Sequence, residues 1–190
     1  ALSIQHFRIG YVGRLVEQKG IMDLLEAGGG MSGEYHLTLV GAGPLQPAIE
    51  ARANELGMSD RVEIIPAVPS KEMPNVYNRL DILVLPSRTR PNWKEQFGRA
   101  LIEAMACEVP VVGSSSGEIP NVIGDAGAVF PEGDIEALKS ILERMRRSPE
   151  LRRELGERGR ARVMERFTQA RIAQETHRVY QEMVSDLAPR

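Results

Sequence analysis

The sequence predicts an α/β fold in which a doubly wound, mainly parallel, six-stranded sheet is followed by C-terminal helices. Three observations support this fold class. Short apolar, β-rich segments alternate with helix-like segments, which is the pattern of consecutive βαβ units. The apolar segments are hydrophobic nearly throughout, as expected of strands that are covered by helices on both faces. After Pro131 the strand-like segments end and only helical patterns remain.

Predicted strands and helices alternate regularly before Pro131. Strands are expected at Phe7–Val12, His36–Val40, Val62–Ile65, Ile82–Leu85, Val109–Gly113 and Ala128–Phe130. Helices are expected at Gln18–Ala27, Pro44–Leu56, Ser70–Arg79, Phe97–Cys107 and Glu118–Ile123. Gly28-Gly29-Gly30 is interpreted as a plain loop rather than a phosphate-binding one, because it follows a helix and not a strand. In such Rossmann-like sheets, ligands bind at the carboxyl ends of the strands.

The segment from about residue 134 to residue 190 is predicted to be a helical extension of a single domain covering residues 1–190. Three polar residues suited to N-caps begin its successive helices: Asp134, Ser148 and Thr168. The last helix carries apolar residues at helical spacing, which predicts packing against a globular body: Ile172, Val179 and Met183.

Charge and cysteine content exclude several classes of function. The chain has 24 Lys+Arg against 26 Asp+Glu, and a net charge of −2 argues against a general nucleic-acid binder. No apolar segment approaches the roughly 20 residues of a membrane-spanning helix. The single cysteine, Cys107, has no internal disulfide partner, which indicates a reducing compartment, the cytoplasm. The basic stretch Arg144–Arg166 is interpreted as a solvated face, with peripheral contact to anionic lipid as the alternative.

The loop after the first strand carries two cations. Gly13 permits a tight turn, and Arg14 and Lys19 then lie at the mouth of the cleft. Guanidinium and ammonium groups in such a position bind phosphate. The spacing alone leaves a second interpretation open, namely two solvated cations beside Glu17. The loop after the first strand matches neither a Walker loop nor a G-x-G-x-x-G fingerprint.

Two carboxylates flank the start of the helix after the fourth strand: Glu95 in the loop and Glu103 within the helix. Between them, a helix N-terminus would present free backbone amides of Gln96, Phe97 and Gly98. Glu103 lies among apolar neighbours and therefore needs partners. Ligand hydroxyls would serve, and an ion pair with Arg99 is the alternative.

These motifs occur in an order that resembles the donor-binding half of retaining GT4-family glycosyltransferases. The resemblance rests on Gly-Arg-Leu-x-x-x-Lys-Gly, Pro86-Ser87, Glu-x7-Glu with Phe-Gly inside it, Val109–Gly113 and Gly117-Glu118-Ile119-Pro120. It spans about residues 7–182. It implies a GT-B enzyme with two Rossmann-like domains. The C-terminal domain would bind a nucleotide-diphosphate sugar with UDP, GDP or ADP, and the N-terminal domain would bind a glycan, lipid or small-molecule acceptor.

The resemblance also implies roles for individual residues. Arg14 and Lys19 would grip the diphosphate beside Gly13, Glu95 would contact the sugar hydroxyls, and Glu103 would hold the ribose. The amides of Gln96, Phe97 and Gly98 would meet the sugar and the phosphate, and the backbone of Val68 would line the base. No metal cofactor is implied, because two cations and a helix N-terminus replace Mg²⁺ electrostatically.

Several features depart from the family pattern. Gln96 stands where the family often has a small residue, and Glu118 follows Gly117 where the family often has a second glycine, which places a carboxylate near the cleft. Trp93 is interpreted either as a surface that stacks on the sugar or as loop packing. An acceptor domain is expected before residue 1, so this chain is expected to bind donor without transferring sugar. The alternatives are a nucleotide-sugar epimerase of the same architecture and a non-catalytic Rossmann-like interaction module.

Overall fold

A six-stranded parallel sheet forms the centre of the protein. The computed structural model describes residues 7–187. The strands are β1 (Phe7–Val12), β2 (Tyr35–Val40), β3 (Val62–Ile65), β4 (Ile82–Leu85), β5 (Val111–Ser114) and β6 (Gly127–Phe130). Their order is β3-β2-β1-β4-β5-β6, and every pair of neighbours is parallel. The prediction of a doubly wound α/β fold is confirmed, and the sheet is parallel throughout its described strands.

Burial along the strands explains why their sequences are so apolar. All four residues of β4, which is central, are buried because helices cover both faces. The edge strand β3 contains no fully buried residue, and Glu63 is exposed there. Val129 on the opposite edge strand, β6, is 39% exposed. The central strands therefore carry the core, and the edges tolerate polar residues.

Helices alternate with the strands on both faces of the sheet. They are α1 (Ile21–Gly29), α2 (Gln46–Glu55), α3 (Met73–Tyr77), α4 (Arg99–Ala106), α5 (Ile119–Ile123), α6 (Ile135–Arg147), α7 (Pro149–Arg166) and α8 (Gln169–Leu187). Short 3₁₀ helices precede α1 and α3, at Glu17–Lys19 and Ser70–Glu72.

Two predicted helices begin later than expected because a glycine interrupts them. The segment Gln18–Ala27 becomes an α-helix only at Ile21, since Gly20 has a left-handed backbone with φ of 66°. A Cβ at Gly20 would overlap the carbonyl oxygen of Pro86, so this loop packs directly on the loop after β4. Gly98, with φ of 76°, likewise delays α4 to Arg99.

The interpretation of Gly28-Gly29-Gly30 as a loop was wrong for two of the three glycines. Gly28 and Gly29 belong to the last turn of α1, and Gly30 is its C-cap. Close packing is the reason, because Tyr35 donates a hydrogen bond to the Gly28 carbonyl oxygen at 2.6 Å. A Cβ at Gly28 would lie only 3.0 Å from the end of the Met58 side chain.

The C-terminal helices begin at the predicted caps. Asp134 accepts a hydrogen bond from the Ala137 backbone at 2.9 Å, and Ser148 accepts one from Leu151 at 3.3 Å. Thr168 accepts one from the Arg171 backbone at 3.2 Å. Helix α6 packs on α1, and α7 packs on α4. Helices α6 and α7 are therefore packed onto the helices that cover the sheet.

The predicted packing of the last helix is not found within the described residues. On α8, Ile172, Val179 and Met183 are 44%, 48% and 56% exposed. The periodic apolar side of this helix is not covered by the described part of the chain. Among residues 7–187, no helix is both long and apolar enough to cross a membrane.

Candidate functional site

The candidate site lies where the strand order reverses. Strands β1 and β4 are neighbours at the centre of the sheet, and the connections that follow them lead to opposite sides. A cleft of about 510 Å³ opens between these two loops and the start of α4. It is lined by eight of the predicted site residues: Gly13, Arg14, Lys19, Glu95, Gln96, Phe97, Gly98 and Glu103.

A second cavity extends the cleft toward the loop after β3. Its volume is about 380 Å³, and it shares Gly13, Arg14 and Glu103 with the first. Val68, the predicted base-lining residue, lies here and not in the larger cleft. The structure therefore gathers every predicted site residue around two connected cavities.

The loop after β1 presents Arg14 to solvent from a fixed backbone. The Tyr11 hydroxyl, which is fully buried, donates to the Arg14 carbonyl oxygen at 2.7 Å. Burial raises the pKa of Tyr11, and the nearby Glu95 charge raises it further. The Arg14 side chain is exposed and forms no ion pair with any described residue. Its guanidinium is thus available to an anionic ligand.

Lys19, by contrast, is already paired. Its Nζ donates to Glu95 Oε2 at 2.6 Å and lies 5.1 Å from the centroid of the Trp93 ring. The Lys19 side chain is only 15% exposed. Trp93 lines the cleft and contacts the Lys19 ammonium there.

Glu95 is a buried carboxylate whose partners converge on one oxygen. The residue is 8% exposed, and Ser87 Oγ donates to Oε2 at 2.9 Å beside the Lys19 ammonium. Among the described residues no hydrogen bond reaches Oε1. A buried charge is tolerated when it is paired in this way, and the second oxygen stays available to a ligand hydroxyl.

The loop after β5 holds Glu95 in place through the backbone. Glu118 donates its backbone N–H to the Glu95 carbonyl oxygen at 3.0 Å, and a Cβ at Gly117 would overlap that same oxygen. The Glu118 carboxylate is exposed and accepts from Asn121 at 2.9 Å, and it lines neither cavity. Glu118 is thus next to the cleft through its backbone, and its side chain bonds along its own helix.

The residues just before α4 offer three unpaired amides. No described group accepts a hydrogen bond from the backbone N–H of Gln96, Phe97 or Gly98. The Phe97 ring is 38% exposed and meets Phe167 edge-on, with centroids 5.7 Å apart. The helix dipole adds positive potential at this position, so the amides and the dipole together favour an anion.

Glu103 has both a protein partner that the sequence predicts and one that it does not. Arg99 Nε lies 3.3 Å from Oε1, as expected of residues four apart on a helix. The hydroxyl of Tyr77, which is 1% exposed, donates to Oε2 at 2.7 Å. Tyr77 precedes Glu103 by 26 positions, and no local pattern connects the two residues.

The cations of the loop after β4 differ in their roles. Arg88 donates to both carboxylate oxygens of the buried Asp23, which ties the loop after β4 to α1. Arg90 forms a short backbone bridge with Trp93, with hydrogen bonds of 2.6 and 3.1 Å. Of these cations only Lys94 lines the main cleft.

The fold and the cleft together define a Rossmann-like α/β domain with cations, carboxylates and free amides at its topological switch point. The chain belongs to the group 1 glycosyltransferases, because the family model described as "Glycosyl transferases group 1" matches residues 5–162. Its sheet and helices match the corresponding half of GT-B glycosyltransferases. Membership of this family favours neither a nucleotide-sugar epimerase nor a non-catalytic module.

Relatives of known sequence and structure agree with this membership. The chain is 30% identical over 179 residues to the capsular polysaccharide biosynthesis glycosyltransferase CapM of Staphylococcus aureus, covering 92% of this chain and 46% of CapM. It superposes with a TM-score of 0.84 and 29% identity on sucrose-phosphate synthase from Thermosynechococcus elongatus, covering 95% of this chain and 46% of that one. HepE of Anabaena, solved in complex with UDP, gives a TM-score of 0.85 at 22% identity, covering 94% and 49%. The chain spans about half the length of the curated relatives it matches.

Proposed function

We propose that this chain is the donor-binding domain of a retaining glycosyltransferase, which transfers a sugar from a nucleotide-diphosphate sugar to an acceptor hydroxyl. The observation that carries the proposal is the composition of the cleft. An unpaired guanidinium, a paired ammonium, three free amides and two carboxylates line a cleft of about 510 Å³. Cations suit a diphosphate and carboxylates suit the hydroxyls of two sugars, and a nucleotide sugar carries both.

The diphosphate is assigned to Arg14 and Lys19. Arg14 is exposed and free of ion pairs with described residues, so it can bind a phosphate without first breaking a contact. Lys19 has three N–H donors, of which Glu95 uses one. The remaining donors are available to stabilise the charge that develops on the departing diphosphate. Gly13 allows the ligand to approach the backbone closely at the end of β1.

The sugars and the base are assigned to the remaining residues. The free Oε1 of Glu95 would accept hydrogen bonds from donor-sugar hydroxyls, and Glu103 would accept them from the ribose. The amides of Gln96, Phe97 and Gly98 would bind the sugar or the phosphate. Val68, in the second cavity, would meet the base through its backbone. HepE, whose fold is similar, binds UDP, which supports a nucleotide as the ligand.

Further features of the whole enzyme belong to the same proposal. Retention of anomeric configuration is proposed from the resemblance to GT4 enzymes. Transfer without a metal ion is proposed because cations and amides already surround the position assigned to the diphosphate. The domain is proposed to cover residues 1–190 and to act with an N-terminal acceptor domain. A reducing compartment, the cytoplasm, is supported by the single cysteine. Contact of the basic stretch Arg144–Arg166 with anionic lipid is a secondary proposal.

Titration of the chain with UDP, GDP and ADP by calorimetry tests the function. We expect at least one diphosphate to bind in the millimolar range or more tightly, and the matching nucleoside to bind far more weakly. No sugar transfer is expected from this chain by itself. If none of the three diphosphates binds at millimolar concentration, the donor-binding assignment is wrong.

A further inference from the structure

Tyr77 is the buried partner of a half-exposed carboxylate. It lies on α3, which packs against α4, and its ring is in the core. Its hydroxyl donates to Glu103 Oε2 at 2.7 Å, whereas the Glu103 side chain as a whole is 38% exposed. A buried hydroxyl that is directed at a cleft carboxylate constrains the orientation of that carboxylate.

The two oxygens of Glu103 therefore differ in how firmly they are held. Oε2 is bound to a side chain that cannot move without disturbing the core. Oε1 faces Arg99, whose side chain is 81% exposed and whose Nε is 3.3 Å away, a loose contact. A ligand hydroxyl can displace or join Arg99 at Oε1, but it cannot easily displace Tyr77 at Oε2.

Without the Tyr77 hydroxyl, Glu103 has a competing arrangement on its own helix. Arg99 lies one turn earlier and can close on both carboxylate oxygens with its planar fork, which is the strongest geometry for this pair. Tyr77 opposes that closure because it occupies one of the two oxygens. The present geometry, with a single loose Arg99 contact, is what such competition produces.

We propose that Tyr77 is a positioning residue for ribose recognition: it holds the Glu103 carboxylate toward the nucleoside diol and away from bidentate closure by Arg99. This inference rests on the proposed function, because it takes a nucleoside diphosphate as the ligand. It predicts that the preference of the cleft for ribose over 2′-deoxyribose depends on a hydroxyl that does not touch the ligand.

The test compares UDP, GDP and ADP with their 2′-deoxy counterparts in calorimetric titrations. For the diphosphate that binds, Tyr77→Phe is expected to weaken the ribonucleotide by about tenfold and to leave the 2′-deoxy affinity nearly unchanged. The ratio of the ribonucleotide affinity to the 2′-deoxyribonucleotide affinity therefore falls. Phe keeps the ring in the core, and Glu103 is exposed enough to be hydrated, so the folded state is retained.

Tyr35→Phe is the matched control. Tyr35 is equally buried and donates at 2.6 Å to a backbone carbonyl, but it lies on β2 and lines neither cavity. This variant should leave the ratio at the wild-type value. A second background, Glu103→Gln, tests the route of action. If Tyr77 works through the carboxylate, Tyr77→Phe has no further effect on the ratio in that background.

The outcomes separate the two proposals. If the wild-type chain binds none of the diphosphates, the proposed function fails. If it binds them but Tyr77→Phe leaves the ratio unchanged, the positioning role is overturned and the function stands. The positioning role is also overturned if Tyr77→Phe lowers the ratio to the same extent in both the wild-type and the Glu103→Gln backgrounds.

Discussion

Arg14 and Lys19 are both cations of the loop after β1, but their surroundings in the structure differ. Lys19 packs against Glu95 and Trp93, and removing it would leave a buried carboxylate without its cation. Arg14 is exposed, and only its backbone is held, through Tyr11. A substitution at Arg14 therefore tests phosphate binding without disturbing the fold, whereas a substitution at Lys19 would affect both.

Replacing Arg14 by Ala should weaken diphosphate binding by about tenfold or more, because a charge-assisted hydrogen bond is lost. The free energy of unfolding should change by less than about 0.5 kcal/mol, as for an exposed side chain without partners. Calorimetric titration and urea denaturation measure the two quantities. Arg144→Ala is the matched control, since Arg144 is exposed on α6, away from the cleft. Wild-type affinity in Arg14→Ala would refute the phosphate assignment.

Gly117 shows how one residue can determine the position of another. Its φ is 53°, and a Cβ there would overlap the Glu95 carbonyl oxygen. Gly57 has a similar φ of 68° but open space around it. The two positions share the backbone strain and differ in the steric contact.

Gly117→Ala should therefore destabilise the protein more than Gly57→Ala does. We expect about 1 kcal/mol for the backbone strain at Gly57. At Gly117 we expect roughly 2 kcal/mol or more. Diphosphate binding should also weaken, because displacing Glu95 moves the Lys19 ammonium that it holds. Urea denaturation measures the stabilities. Equal losses at the two sites would show that the contact with Glu95 has no energetic consequence.

At the scale of elements, the Glu143 carboxylate on α6 binds Ser32 in the turn that follows α1. Burial opposes the charged form of Glu143, but the Ser32 backbone N–H and hydroxyl at 2.7 and 2.9 Å, together with Arg146, lower its pKa from 4.5 to about 2. In the unfolded chain these partners are lost. The ionised carboxylate therefore stabilises the folded state above pH 4.5, and this contribution disappears as the pH falls toward about 2.

Glu143→Gln should remove this part of the pH dependence. Between pH 4.5 and about 2, the free energy of unfolding should fall less steeply in the variant than in the wild type. Urea denaturation at a series of pH values measures the slopes. Glu136→Gln, an exposed position on the same helix, provides the control for the change in net charge. Identical slopes in wild type and Glu143→Gln would contradict the assignment.

At the scale of the whole molecule, α6 and α8 contribute differently to the folded body. Leu142 on α6 is fully buried in the core, whereas Met183 on α8 is 56% exposed. Both helices carry periodic apolar residues, so the periodicity does not distinguish them.

Leu142→Ala should cost about 2–5 kcal/mol of unfolding free energy, because it leaves a cavity in a packed core. Met183→Ala should change it by less than about 0.5 kcal/mol. Urea denaturation of this chain measures the free energy of unfolding of both variants. A loss at Met183 that equals the loss at Leu142 would mean that α8 is packed against the body after all.

The sequence by itself determined the alternation of strands and helices, the caps at Asp134, Ser148 and Thr168, and the side chains gathered at the cleft. The alternation and the caps follow from hydrophobic periodicity and from local chemistry, which act over a few residues. The cleft residues follow from the order of motifs that resembles GT4-family glycosyltransferases. The tertiary structure decided four further features: the pairing of Tyr77 with Glu103, the Glu95 oxygen that accepts from both Lys19 and Ser87, the packing of Gly117 against Glu95, and the exposure of α8. The partners in the first three features are distant in the chain. Those of Glu95 meet because the sheet order brings the ends of β1, β4 and β5 together, and Tyr77 meets Glu103 because α3 packs against α4.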